Sequence, residues 1–153
     1  NVAWQLKYMN AQQIGPDKIN QLRHVLFFKD LAGLKAHMEI HKKLLKPKFD
    51  AVIDTLEQNL AGTGAGSWSA PKGGYFISFD AMEGCAKRIQ QLCKEAGIVM
   101  TGAGATYPYG KDPKDSNLRI APSFPPIEEL KLAMEVFCVC ALKASCEKLL
   151  ENK

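Results

Sequence analysis

The sequence predicts an α/β fold of the α+β type, in which helices pack on a short and mostly antiparallel sheet. Two observations lead to this prediction. Apolar residues recur at helical spacing in residues 1–60, in 82–96 and after 126, whereas aromatic and β-branched residues cluster in 68–79. The resulting order is two or three helices, two strands, a helix, two strands and a last helix, which suits helices layered on one sheet.

The first 60 residues predict helices. Residues 2–12 can form a short helix, and Pro16 is well placed to begin the next one, with Asp17 in its first turn. A stripe of residues then follows one face of a long helix: Leu22, Leu26, Leu31, Leu34, Met38, His41 and Leu45. Pro47 should break or kink this helix. The helical stripe resumes with Phe49, Val52, Ile53, Leu56 and Leu60.

The remaining residues predict four short strands and two helices. The glycine-rich stretch 62–66 ends the preceding helix in a turn. The predicted strands are 68–70, 74–79, 98–101 and 118–121. A helix over 82–96 is capped by Gly97, and the last helix begins after Pro125-Pro126.

The bulk composition is typical of one globular domain. The chain has 153 residues, enough for a sizeable core, and its net charge of +4 is too small to indicate nucleic-acid binding. No apolar run approaches the length of a membrane span, so we expect neither a membrane nor a nucleic-acid partner. Five cysteines without a C-x-x-C motif indicate reduced thiols in a cytoplasmic protein, with no metal site.

Arg119 is the most informative candidate for a functional residue. It lies between Leu118 and Ile120 on a predicted strand, so alternation places it on the face opposite to theirs. A guanidinium held on a strand is a rigid two-pronged donor that fits a carboxylate. The residue pattern alone leaves two alternatives open, a surface arginine on an edge strand or one paired with a nearby aspartate.

Other motifs favour structural interpretations. The loop 62–66 follows a helix, whereas a phosphate-binding loop needs a strand before it and a helix after it. The glycines of 102–104 indicate a mobile loop beside a site. His37 and His41 do not form the H-E-x-x-H zinc signature, and His41 lies on the apolar stripe, which favours a core histidine. Without a Ser/His/Asp or Cys/His set, we expect no self-sufficient catalytic centre.

Four segments, taken in order, resemble a known family. They are 14–24, 71–76 (Pro-Lys-Gly-Gly-Tyr-Phe), 102–110 (Gly-Ala-Gly-Ala-Thr-Tyr-Pro-Tyr-Gly) and 117–122 (Asn-Leu-Arg-Ile-Ala-Pro). Together they resemble the C-terminal part of fold-type I, pyridoxal-phosphate-dependent aminotransferases, in the subgroup called MocR-type or aspartate-aminotransferase-like. The resemblance covers nearly the whole chain, and it rests on the order and spacing of the motifs.

The resemblance implies a domain organisation and a substrate site. Residues 1–46 would be linking helices from a large domain, and 47–153 would be the small C-terminal domain. Arg119 would bind the substrate α-carboxylate, and Tyr75 or Phe76 would lie near the substrate entrance. The small domain would swing to close the site, in a cytoplasmic homodimer.

The resemblance also implies what the chain lacks. The lysine that holds pyridoxal 5'-phosphate belongs to the family's large domain, upstream of Asn1, so we expect no catalytic or cofactor-binding residue here and no activity from this chain alone. The parent would transfer an amino group between an amino acid, such as aspartate, and a 2-oxo acid. Because the chain begins at Asn1, we expect it to be part of a longer protein. The alternative is a non-catalytic ligand-binding or regulatory module with the same fold.

Overall fold

The computed structural model describes residues 1–12 and 16–151. They divide into two compact units, Asn1–Lys43 and Leu44–Lys153. The helices are α1 (Val2–Gln12), α2 (Lys18–Phe28), α3 (Leu31–Leu60), α4 (Ala86–Glu95) and α5 (Ile127–Glu151). The strands are β1 (Gly66–Trp68), β2 (Ile77–Ala81) and β3 (Asn117–Ile120). Across the described ranges, no helix combines the length and the apolar character that a membrane crossing requires.

The start of α2 differs from the prediction. The helix begins at Lys18, and Pro16 and Asp17 precede it; the first two residues of the segment 14–24 lie outside the described residues. Asp17 is the N-cap, because its carboxylate accepts a hydrogen bond of 3.0 Å from the backbone N–H of Asn20. A carboxylate in that position satisfies a free N–H of the first turn, which is why the helix starts after Asp17 and not at Pro16.

The single long helix predicted from Leu22 onward is two helices. Lys29 has a left-handed backbone (φ 64°), which ends α2. Asp30 then accepts a 2.8 Å hydrogen bond from the N–H of Gly33 and begins α3. The apolar stripe missed this junction because its spacing continues across the two residues that separate the helices.

Of the two outcomes predicted for Pro47, a break or a kink, the break is wrong, since α3 runs from Leu31 to Leu60 with Pro47 inside it. A proline in a helix removes one backbone hydrogen bond and crowds the preceding turn, at a cost of about 3 kcal/mol. Burial after the proline offsets that cost, because Val52 and Leu56 are completely buried in the core of the second unit.

The sheet has the order β1-β2-β3 with both pairs antiparallel, which confirms the predicted short antiparallel sheet. The first two strands lie at 66–68 and 77–81, displaced from the predicted 68–70 and 74–79. The turn between them takes more residues than predicted, because Gly74 adopts a left-handed backbone (φ 91°) that is incompatible with a strand.

The predicted strand at 98–101 is absent, and the side chain of Val99 is 95% exposed. Its apolar residues line a cavity beside β3 instead of joining the sheet. A short apolar run has the same composition in either role, so the sequence could not separate the two.

The core lies between the inner face of the sheet and the helices of the second unit. Ile77, Phe79 and Leu118 point inward from β2 and β3 and are completely buried. The ring of Phe79 stacks on Trp68 at 6.2 Å between centroids and meets the edge of Phe137 of α5 at 5.0 Å. The polar residues that alternate with them on the strands therefore lie on the opposite face of the sheet.

Buried thiols make the stability of the second unit depend on pH. Burial raises the pKa of Cys93 to about 12 and that of Cys138 to about 11, from 9.0 for an ordinary thiol. The folded chain therefore holds these protons at a pH where the unfolded chain has lost them, so the free energy of unfolding must fall as pH rises above 9.

We expect a loss of about 2 kcal/mol per buried thiol between pH 8 and pH 10.5, as an upper limit. Urea unfolding at the two pH values measures it. The Cys93→Ala chain is the control, and its stability should fall less steeply. Equal slopes in the two chains would show that Cys93 is not the cause.

Candidate functional site

Arg119 lies on β3, one of the two edge strands of the described sheet. Its neighbours Leu118 and Ile120 are buried in the core, and Arg119 is half-buried on the opposite face. Ser78 of β2 is its partner in the register. The alternation predicted from the sequence therefore holds, and it places the guanidinium on the polar face of the sheet.

The guanidinium of Arg119 contacts an aromatic ring and lacks an acceptor. Its Cζ lies 4.4 Å from the centroid of the Phe76 ring, a cation–π distance. Its Nε is buried and has no hydrogen-bond partner among the described residues. The same residues offer it no carboxylate within salt-bridge distance. Because a buried N–H without an acceptor is costly, this arrangement is suited to receive an anionic ligand.

A cavity of about 220 Å³ adjoins Arg119. Residues 98–101, the end of β3 and the first turns of α5 line it, and Arg119 is the one charged residue among those that line it. Met100, Leu130 and Phe137 give the cavity an apolar wall.

Of the two aromatic residues predicted near the substrate entrance, Phe76 contacts Arg119. The residue is 46% exposed although its ring lies against the guanidinium. Tyr75, its neighbour in the chain, is 55% exposed. A ring against the guanidinium limits the directions in which Arg119 can turn.

Asn117 is a residue of the site that the sequence analysis did not single out. Its side chain is 7% exposed. Its Nδ2 donates to Ser78 Oγ at 2.9 Å and to Asp80 Oδ1 at 2.7 Å, and its Oδ1 accepts from Thr106 Oγ1 at 2.6 Å. The signal for it was a polar residue two positions from Arg119, which alternation places on the same face of β3.

Asp112 fixes the turn that leads into β3. Its carboxylate accepts backbone hydrogen bonds from Lys114 at 2.9 Å, and from Ser116 and Asn117 at 2.8 Å each. These N–H donors, that of Asn117 first, hold the pKa of Asp112 below its usual value. The ionised carboxylate thus holds the backbone just before the segment that carries Arg119.

Two motifs set aside in the sequence analysis have other roles. In 62–66, Thr63 Oγ1 donates to the carbonyl of Leu60 at 2.8 Å, so the loop closes α3 and leads into β1. His41 is exposed, so its interpretation as a core histidine is wrong; its ring lies beside that of His37, one turn earlier on α3, at 4.4 Å between centroids. The described residues contain no group of three or more His, Cys, Asp or Glu that could hold a metal ion.

Comparison with known proteins gives the chain its family. The family model described as aspartate amino-transferase matches residues 1–153. The chain is 48% identical over its whole length to a Mycolicibacterium smegmatis protein named as an aminotransferase, of which it covers 36%. It is 46% identical to the aspartate aminotransferase of Corynebacterium glutamicum over 96% of its length, or 34% of that protein.

A solved structure gives the same result at the level of the fold. The aspartate transaminase of Corynebacterium glutamicum superimposes with a TM-score of 0.87 and 46% identity, over 97% of this chain and 35% of that one. The chain spans about a third of the length of the curated relatives it matches. Its helices and three-stranded antiparallel sheet match the small domain of aminotransferases. This chain therefore belongs to the aspartate aminotransferase family.

Proposed function

We propose that this chain is the C-terminal part of an aminotransferase that transfers an amino group between an amino acid and a 2-oxo acid. Arg119 binds the α-carboxylate of both substrates. Residues 1–46 are the linking helices and 47–153 the small domain, and the large domain of the same chain completes the site. Aspartate is the proposed amino donor, because the aspartate aminotransferase of Corynebacterium glutamicum is 46% identical.

The observation that supports this role is the unpartnered Nε of Arg119. Of the buried side-chain nitrogen and oxygen atoms in the described residues, it is the one without a hydrogen-bond partner. A carboxylate accepts two parallel hydrogen bonds from a guanidinium, and Nε is one of the donors in that arrangement. The α-carboxylate is common to every amino acid and 2-oxo acid, so one arginine serves both halves of the reaction.

The surroundings of Arg119 do not fit pyridoxal phosphate itself. The cofactor, when bound in this family, supplies the electron sink for amino-group transfer and needs a lysine amine to hold it. The described residues that line the cavity include no lysine, and Arg119 is their only charged member. The role proposed for this chain is therefore carboxylate recognition, with the cofactor held by the large domain.

Three further features belong to the proposal. The full-length protein is a cytoplasmic homodimer of fold type I, and it belongs to the MocR-type subgroup, as the order of its four motifs suggests. Tyr75 and Phe76 line the entrance through which the substrate reaches Arg119. Movement of the small domain then excludes water from the closed site and orients the carboxylate.

A transamination assay tests the proposed function. The full-length protein, supplied with pyridoxal phosphate, should convert aspartate and 2-oxoglutarate to oxaloacetate and glutamate. Borohydride reduction should then attach the cofactor to one lysine of the large domain. This chain alone should show neither turnover nor labelling at a unique lysine.

Two results would contradict the proposal. Stoichiometric labelling of a lysine in residues 1–153 would place the cofactor in this chain. A full-length protein that binds 2-oxo acids without turnover would support the regulatory alternative.

A further inference from the structure

Asn117 lies two residues before Arg119 on the same face of β3, and its buried amide joins three parts of the structure. The amide bonds to Ser78 and Asp80 of β2 and to Thr106 of the loop 102–110. Each of these bonds is 2.9 Å or shorter, and together they use both protons of Nδ2 and one acceptor position of Oδ1.

The hydrogen bonds from Asn117 to β2 lie next to Arg119. Ser78 is the residue opposite Arg119 in the register, and Asp80 is opposite Asn117. The amide of Asn117 therefore bonds to Asp80, which is directly opposite it, and to Ser78, which is diagonally opposite it. These side-chain hydrogen bonds add to the backbone hydrogen bonds between β2 and β3. They fix the two strands relative to each other at the position of Arg119.

The contact to Thr106 anchors a strained loop. Gly104 (φ 82°) approaches the carbonyl of Gly110 so closely that a Cβ there would clash with it. Tyr109 adopts a left-handed backbone (φ 59°), and its side chain is 97% exposed. A non-glycine residue in that conformation costs about 1–3 kcal/mol and persists only where its surroundings hold it. The Thr106–Asn117 hydrogen bond is a direct tie from this loop to the sheet.

We propose that Asn117 is a positioning residue that couples the loop 102–110 to Arg119, so that carboxylate binding by Arg119 requires an anchored loop. The inference rests on the proposed function of Arg119. Its chemistry is hydrogen bonding alone: the amide holds Thr106 on one side and the strand pair beneath Arg119 on the other. Loss of the amide releases both Thr106 and the strand pair beneath Arg119. The guanidinium must then become ordered when the substrate binds, which weakens binding.

A double-mutant cycle in the full-length protein tests the coupling. Asn117→Ala should raise KM for the amino acid and for the 2-oxo acid by about 5- to 30-fold, with kcat changed by less than about threefold. In the Arg119→Ala background the same substitution should change KM by less than about twofold, because the group on which it acts is gone. A purely structural residue would lower the melting temperature and change KM by the same factor in both backgrounds.

Three further variants protect the test against simple misfolding. Thr106→Val removes only the tie to the loop, at an exposed residue of similar shape, and should raise KM by about 3- to 10-fold. Asn117→Asp places a carboxylate against that of Asp80. The exchange N117D/D80N restores a carboxylate–amide pair and should return KM to within about threefold of the unmodified protein.

Asn59→Ala is the matched control. It removes one amide hydrogen bond, that of Nδ2 to the Thr55 carbonyl at 2.8 Å on α3, and should leave KM unchanged. If Arg119→Ala raises KM but Asn117→Ala and Thr106→Val do not, the positioning role is wrong and the proposed function stands. If Arg119→Ala itself leaves KM unchanged, the proposed function fails first, and the positioning role with it.

Discussion

Arg119→Ala in the full-length protein should lower kcat/KM by about 30- to 900-fold, mainly through a higher KM for both substrates. The substitution removes a two-pronged, charge-assisted contact worth about 2–4 kcal/mol. The effect should be large because Arg119 is half-buried and is the one charged residue among the described residues that line the adjoining cavity. Steady-state kinetics with the amino acid and the 2-oxo acid varied in turn measures it.

Two further substitutions show whether the geometry of Arg119 matters as well as its charge. Arg119→Lys keeps the positive charge but loses the planar pair of donors, so its KM should lie between those of the unmodified protein and Arg119→Ala. Arg88→Ala is the control for loss of an arginine. Arg88 pairs with Glu147 between α4 and α5, with Nε–Oε2 at 2.6 Å, and does not line the cavity. An unchanged KM in Arg119→Ala, or equal changes in the two alanine variants, would remove Arg119 from the substrate site.

Phe79→Ala should lower the free energy of unfolding of this chain by about 3–5 kcal/mol. Phe79 is completely buried and contacts Trp68 and Phe137, so the substitution leaves a cavity between the sheet and α5. A loss of that size is a large part of the 5–15 kcal/mol that stabilises an ordinary domain. Urea unfolding followed by circular dichroism measures it.

Phe124→Ala is the matched control, since it makes the same chemical change at a side chain that is 96% exposed. It should alter stability by less than about 0.5 kcal/mol. If Phe79→Ala prevents folding altogether, Phe79→Leu gives a smaller loss, of about 1–2 kcal/mol, that can still be measured. Equal stabilities of the alanine variants at 79 and 124 would contradict the described core.

The architecture of the second unit could be predicted from the sequence because its apolar spacing is regular. The buried positions of α4 and α5 recur at helical intervals, and β3 was located to within one residue. Two of the errors, both at helix starts in the first unit, occurred where a side-chain hydrogen bond decides where the helix begins. Asp17 and Asp30 each begin a helix through a hydrogen bond that apolar spacing does not register.

The candidate site was only half predictable, for a similar reason. Arg119 stands out because a charged residue interrupts an apolar strand. Asn117 does not, because its importance comes from partners at positions 78, 80 and 106, which are close only after the sheet forms. The cavity was also hidden, since 98–101 has the composition of a strand and its place beside β3 depends on tertiary packing.

A crystal structure of the full-length protein with a bound 2-oxo acid tests the central claim most directly. We predict that the α-carboxylate binds Arg119, with its two oxygens about 2.7–2.9 Å from Nε and one terminal nitrogen, while Phe76 still covers the guanidinium. A carboxylate held by other residues, with Nε of Arg119 left without an acceptor, would contradict the account.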